Sequence, residues 1–295
     1  MNDELLVDKR QVRRSFEHAA ATYDAAAVLQ HEVCGRVLER LDYIKLEPAT
    51  ILDAGSGTGN ALAGLARRYP RARIVALDIA LAMLARGRSR LPKWKSLLTG
   101  RSPLAAVCGD IERLPLAAGS IGMVWSNLAL QWVHDLQQAL GEMQRVLAPG
   151  GLLMFSTFGP DTLKELRGAY AGVDRHTHVN RFIDMHDIGD MLVKAGFADP
   201  VIDMETFTLT YADVRELMRD LKAIGAHNVT QGRPAGLGGK TLLGTVARNY
   251  ETLRRDGRLP ATFEVVYGHA WKAQPRVSPG GRPVIEIKPQ KGVWG

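Results

Sequence analysis

The chain has 295 residues, 46% hydrophobic and 23% charged, which is ample for a real core but short of two full-sized domains. Two cysteines, Cys34 and Cys108, exclude a disulfide framework and a cysteine-based metal cluster, and fit a reducing compartment. A net charge of +7 comes with no long basic arm and no interleaving of basic and aromatic residues, so nucleic-acid binding has no support. The N-terminal stretch is broken by charges every few residues and no apolar run is long enough to cross a bilayer; neither signal nor anchor is read, and a cytoplasmic protein without membrane association is expected.

In chain order, residues 12–41 read as helical with a break near 21–24, making residues 1–46 an N-terminal helical segment. A short apolar run at 50–54 stops at glycines, as a buried strand does when it enters a tight turn. Helix 60–68, strand 73–78, helix 79–90, strand 104–108, strand 121–126, helix 136–147 and strand 151–157 follow. Apolar strands spaced by amphipathic helices specify a parallel sheet covered on both faces, with ligands bound beyond the strands' C-terminal ends. The densest basic run, ARGRSRLPKWKSLLTGR at 85–101, holds six basic residues and no acid. It suits either a solvated surface or an acidic partner.

Beyond residue 158 the pattern loosens. Helices are expected at 161–171 and 184–195, a strand at 201–210, helices at 211–224 and 241–255 around the loop QGRPAGLGG, and a last strand at 261–271. These make helical insertions of about 159–200 and 211–260 within a single domain spanning 1–272. Residues 273–295, with four prolines among glycines and charges, read as a disordered tail.

The strongest motif is ILDAGSGTGN at 51–60. Gly55, Gly57 and Gly59 leave a strand and open a helix, which allows a sharp turn and close approach of a ligand to the backbone. A dinucleotide fingerprint would want glycine where Asn60 stands, and the phosphate loop GxxxxGK[ST] is absent. Asp53, two residues before the first glycine, would repel a pyrophosphate and attract a cationic or amine-bearing ligand. Asp78 ends the next strand at the separation from the glycines that places a carboxylate on ribose hydroxyls; the alternative is a helix N-cap, for which Asp is well suited. In GDIE at 109–112, Asp110 suits an adenine amine while Ile111 covers a ring face, or Asp110 caps its own loop. Three successive strands thus end in carboxylates on one edge, an arrangement for an adenosine-containing cation.

LDAGSGTG with Asp78, GDIERLPL at 109–116 and LAPGGLLMFSTF at 147–158 resemble the class I S-adenosylmethionine-dependent methyltransferases. The resemblance implies a Rossmann-like α/β fold: a seven-stranded, mostly parallel sheet with helices on both faces, its last strand antiparallel, plus helical substrate-side insertions. It implies S-adenosyl-L-methionine as cofactor, with Asp53, Ser56 and the glycine loop at the methionine moiety, Asp78 and Ile79 at the ribose, Asp110 and Ile111 at the adenine, and Asn127 near the cofactor and open toward substrate. More narrowly, FEHAAATYDAAAVLQ at 16–30, SNLALQWVHDL at 126–136, STFGPDTLKEL at 156–166, HVNRF at 178–182, LKAIGAHNV at 221–229 and YGHAWK at 267–272 resemble the malonyl-acyl-carrier-protein O-methyltransferases of biotin synthesis. That resemblance implies esterification of the free carboxylate of a malonyl thioester, borne by acyl carrier protein or by CoA, so that fatty acid synthesis can extend the disguised ester.

A carboxylate is already an anion at neutral pH, so no general base is required; the protein must align and neutralise it and exclude water. Arg181 is the first choice for that carboxylate because its fork of donors matches it. Lys222 and His227 are candidates for the thioester or carrier arm, Tyr23 for closing over the site, and Gln131 with Trp132 for a pocket wall; packing alone accounts equally well for Tyr23 and Trp132. His176, His178 and His186 match no metal-ligand spacing, and direct methyl transfer calls for no metal. A small-molecule methyltransferase, for example of a quinone precursor, and a non-catalytic binding module are the alternatives on the same fold. The oligomeric state is not legible.

Overall fold

Strands that are apolar at every position need cover on both sides, and the computed structural model of the chain supplies it. Residues 7–87, 104–174, 176–226 and 240–274 are described. Strands β1 (Thr50–Ala54), β2 (Arg73–Asp78), β3 (Leu104–Cys108), β4 (Ile121–Asn127), β5 (Leu147–Phe158), β6 (Phe197–Tyr211) and β7 (Leu259–Lys272) form one sheet in the order β3-β2-β1-β4-β5-β7-β6. The first five run parallel, and β7 inserts antiparallel to both β5 and β6.

Side chains alternate between two cores. Ile51, Met123, Trp125, Leu152 and Val265 face one of them, while Leu52, Val124, Leu153 and Val266 face the other. The first core takes α3 (Val28–Arg40), α4 (Leu62–Arg68), α7 (Lys164–Tyr170), α9 (Val214–Ala223) and α10 (Lys240–Glu251). The second takes α6 (Leu136–Val146) and α8 (Met185–Lys194), each started by an aspartate whose carboxylate accepts a backbone N–H of the first turn, Asp135 from Gln138 and Asp184 from His186. Helix α5 (Leu81–Gly87) follows β2, and α1 (Lys9–Ala19) with α2 (Tyr23–Ala26) precedes α3.

The expected elements are present, with shifted bounds. The helix expected from residue 60 starts at Leu62 because the glycine turn runs on, Gly59 N–H donating to Ser56 O at 2.8 Å. The helix expected from 79 starts at Leu81, because Asp78 caps Ala80 N–H instead of letting the helix begin. Strand β6 begins at Phe197, so the helical insertion expected to run to about 200 ends at α8; Asp199, at φ +48°, and a register shift between Ala198 and Val201 let the chain pass Pro200. His227, residues 88–101 of the basic run and 275–295 of the expected tail lie outside the described residues.

Candidate functional site

The parallel strands end together. Asp53 pairs in register with Ala76, Asp78 with Cys108, and Asn127 with Ser156, so the carboxylates leave the sheet on one edge. The glycine turn is pinned there by Gly55 and Ser56 N–H donating to Leu77 O at 2.8 and 2.9 Å. Gly55 sits at φ +79°, where a Cβ would lie 2.3 Å from Ala129 Cβ, so only glycine fits. Gly57, at φ +53°, faces open space. Gly59 has a different part: it packs on Leu62 and on the Gly87 backbone, away from the cleft.

Two clefts meet over this turn. The larger, about 650 Å³, is bordered by Gly55, Gly57, Asp78, Ile79, Asp110, Ile111 and Asn127. Asp78 is nearly buried, its Oδ2 accepting from Gly57 N–H and its Oδ1 from Ala80 N–H, each at 2.8 Å. Of the two roles open for it in the sequence, it takes the cleft wall and ties the turn before α5, while the N-cap role falls to Glu17, which accepts from Leu81 and Ala82 N–H. Burial raises its carboxyl to about 6 despite those donors. Leu128, next to Asn127, takes φ +47°, held by Ser156 O and Oγ accepting its N–H at 3.1 Å; such strain is costly and marks built sites.

The smaller cleft, about 380 Å³, is bordered by Asp53, Ser56, Trp125, His31 and Asn127. Asp53 Oδ2, Ser56 Oγ and Trp125 Nε1 are all buried without a hydrogen-bond partner. Three orphaned groups in one cleft are costly unless a ligand completes them. An anionic acceptor beside an N–H donor suits a zwitterionic amino acid group. Burial lifts the Asp53 carboxyl to about 7, the charge of Asp78 adding to it and the neighbouring Ser56 hydroxyl working against it. This is where the residues fit S-adenosylmethionine: its amino acid end at Asp53, Ser56 and Trp125, its nucleoside at Asp78, Asp110 and Ile111.

The N-terminal helices form the roof. Lys9, Val12, Phe16 and Tyr23 line the larger cleft, with Phe16 edge-on to Trp132 at 5.4 Å and to Tyr23 at 6.5 Å. Burial opposes the Lys9 charge, but ion pairs of 2.6 Å to both Asp110 and Glu112 outweigh it and hold its pKa above the usual value. Tyr23 is pushed well above the ordinary phenol range by burial and by Asp78 and Asp24. The sequence had put forward Tyr23 and Trp132, and the structure brings both to the cleft. It had passed over Lys9, Val12, Phe16 and Trp125, whose partners lie far away along the chain.

Other expected substrate residues lie elsewhere. Gln131 is turned to its own surroundings, donating to Leu128 O at 2.7 Å and accepting from Thr157 Oγ1 at 3.3 Å, and it does not line either cleft. Lys222 is exposed on α9. Arg181 is exposed in the segment between α7 and α8, whose Phe182 packs on Phe158 at the end of β5 at 5.7 Å. Beside it stands Arg167, passed over in the sequence, whose buried Nε has no partner and whose pKa is lowered by burial and by the Arg181 charge. Among the histidines, His178 stacks on Tyr170 at 3.9 Å and bonds Asp174, while His186 bonds Asp184. Among the described residues no group of three His, Cys, Asp or Glu side chains gathers as metal ligands, and no helix is long and apolar enough to cross a membrane.

A methyltransferase-domain family model matches residues 52–155. The malonyl-[acyl-carrier protein] O-methyltransferase of Gallionella capsiferriformans is 60% identical over 284 residues, 96% of this chain and 98% of that protein. The chain belongs to this family. The family member of Methylovorus sp. is 58% identical over 98% of this chain and 97% of its own length. The fold is shared more widely: the crystal structure of the YcgJ protein of Bacillus subtilis aligns with a TM-score of 0.56 at 15% identity, over 83% of this chain and 99% of that one.

Proposed function

We propose that the protein transfers the methyl group of S-adenosylmethionine to the free carboxylate of a malonyl thioester carried by acyl carrier protein. The observation that carries the cofactor half is the group of orphaned atoms at Asp53, Ser56 and Trp125, continuous with the carboxylates Asp78 and Asp110 beneath one roof. The substrate half is supported by family members named for that reaction and aligned over nearly the whole chain.

When bound, the cofactor supplies an electrophilic methyl on a sulfonium. The chain's own work is to bind, orient and dry the site. The acceptor carboxylate ionises near pH 4 and needs no base, and Tyr23, its phenol held protonated by burial, does not act as one. Phe16, Tyr23 and Trp132 close the cleft against water, which leaves an attacking anion less hydrated. We assign the malonyl carboxylate to Arg181. Its support is the packing of the adjoining Phe182 on Phe158 at the end of β5, and the neighbouring Arg167: two guanidiniums held together, one with an orphaned N–H, are relieved by an anion.

The test is mass spectrometry of malonyl carrier protein after incubation with enzyme and labelled S-adenosylmethionine. One methyl gained on the malonyl group is expected. Methylation of free aromatic acceptors alone would replace this reading with that of a small-molecule methyltransferase.

A further inference from the structure

Helix α9 carries a charge pattern that its own folding does not use. Its inner face is set by Val214 and Leu217, both buried, with Leu221 packed on the same core. Its first turn is closed reciprocally, Glu216 N–H donating to Asp213 Oδ1 at 2.8 Å and Ala212 N–H to Glu216 Oε2 at 2.6 Å. The spacing i, i+4, i+7 then puts Arg215, Arg219 and Lys222 together on one outer flank. All three are exposed, and Met218 beside them is 36% exposed.

Among the described residues none of these three cations has a carboxylate within ion-pair distance, whereas Arg36, Arg40, Arg68, Arg145 and Arg254 all do. Arg219 donates only to the carbonyl of Arg215, at 3.4 Å. The flank also adjoins the roof of the cleft. Thr22 Oγ1 donates to Ala223 O, the last residue of α9, at 3.0 Å, and a Cβ on Gly225 would lie 3.2 Å from Phe16 Cδ1. Phe16 and Tyr23, the residue after Thr22, both line the cleft.

We propose that the Arg215–Arg219–Lys222 flank of α9, with Met218 at its margin, is the docking surface for the acidic carrier protein that presents the malonyl group. The proposal rests on the functional reading above and adds to it the face of the enzyme that the carrier meets. Arg219 shares its charge with the neighbouring Asp220, but among the described residues none of the three cations is locked in an ion pair, so the flank presents positive charge to an incoming acidic helix and steers its approach. An exposed Met offers an adaptable apolar contact among them. No aromatic side chain interleaves these cations, which leaves nucleic acid without a stacking platform. The exposed pair Arg71 and Arg73 lies at the N-terminal start of β2, the sheet edge opposite the cleft; a carrier bound there would face away from the site.

The experiment compares the double variant Arg215→Glu/Arg219→Glu, its milder Gln counterpart and the wild type on two substrates, malonyl carrier protein and malonyl-pantetheine, at low and high salt. With the carrier-borne substrate the Glu variant is expected to lose roughly tenfold to a hundredfold in kcat/KM at low salt, through KM, and less at high salt; the Gln variant should fall between. With malonyl-pantetheine, which has no carrier to dock, both variants should match the wild type. Arg71→Glu/Arg73→Glu makes the same change of net charge on the far edge and should leave carrier turnover within about twofold. Parallel losses on both substrates, equal losses from the far-edge pair, or carrier turnover unchanged by the Gln and Glu variants would each overturn the docking surface while the wild-type reaction stands. A wild type that methylates neither thioester would overturn the functional reading and the docking surface with it.

Discussion

Asp53 is the residue at which stability and function are set against each other. In the folded chain burial and the charge of Asp78 raise its carboxyl to about 7, against 3.8 for an ordinary aspartate. Because the folded value lies above the unfolded one, folding takes up a proton between them, and stability falls as pH rises from about 4 to about 7 before levelling off. About three units at about 1.4 kcal/mol each make the cost of holding the ionised carboxylate above pH 7 as much as about 4 kcal/mol. Asp53→Asn removes that titration. In denaturant titrations of the ligand-free protein the variant should be more stable than wild type at pH 8 and no more stable at pH 4, the remaining slope being that of Asp78, raised to about 6. Binding should move the opposite way: calorimetry should show affinity for S-adenosylhomocysteine reduced at least tenfold, because the anion that meets its amino group is gone. At pH 6 the wild type should release a proton from Asp53 on binding, seen as a dependence of the heat on buffer, and the variant should release less, keeping only what Asp78 contributes. An Asn variant destabilised equally at pH 4 and pH 8, or one that binds as the wild type does, would refute the assignment of the orphaned carboxylate to the ligand.

Gly55→Ala forces a Cβ to within 2.3 Å of Ala129 Cβ at φ +79°, and is expected to cost about 1–3 kcal/mol in denaturant stability and more than tenfold in cofactor affinity. Lys9→Met severs the ion pairs to Asp110 and Glu112; amide exchange across residues 9–19 should quicken and S-adenosylhomocysteine should dissociate severalfold faster, with the global melting midpoint little changed. Arg181→Ala should leave cofactor affinity intact and lower kcat/KM for the malonyl thioester by roughly two orders of magnitude, Lys rescuing only in part; normal methylation by the Ala variant would move the carboxylate to Arg167 or elsewhere.

The sheet was legible because its signal is local. Ile51, Leu52 and Ala54 are apolar on both faces and end at glycines, and the same pattern recurs at each parallel strand, so the order of elements and the ligand edge followed from short windows. The carboxylates Asp53, Asp78 and Asp110 were legible for the same reason, each ending a strand. Glycine was not as informative: Gly55 and Gly59 both take positive φ and both have close neighbours, but Ala129 lies toward the cleft and Leu62 away from it, a difference that spacing does not encode. Trp125 reads as one more apolar residue of β4, and only burial of its Nε1 without a partner in the cleft gives it a role. Lys9 pairs with Asp110, 101 residues away, and Arg167 reads as an ordinary helix cation until its orphaned Nε and Arg181 are seen together.

The roof joins the two ends of the reaction through one short helix. At its start Lys9 holds Asp110 and Glu112; further along, the Glu17 carboxylate accepts the first two N–H groups of α5, Leu81 at 2.7 Å and Ala82 at 3.1 Å; beyond its end Thr22 bonds Ala223 of α9. These ties differ in what their loss leaves behind. Glu112 is buried, but its carboxylate also accepts from His134 and Asp135 N–H, so releasing Lys9 does not strand an unpartnered anion. The Glu17 and Thr22 contacts are exposed and return readily to water. What holds the roof down is therefore mainly apolar: Val7 and Val12 pack with Phe16, Ile79 and Trp132, and Ala19 and Ala20 with Ala80 and Met83.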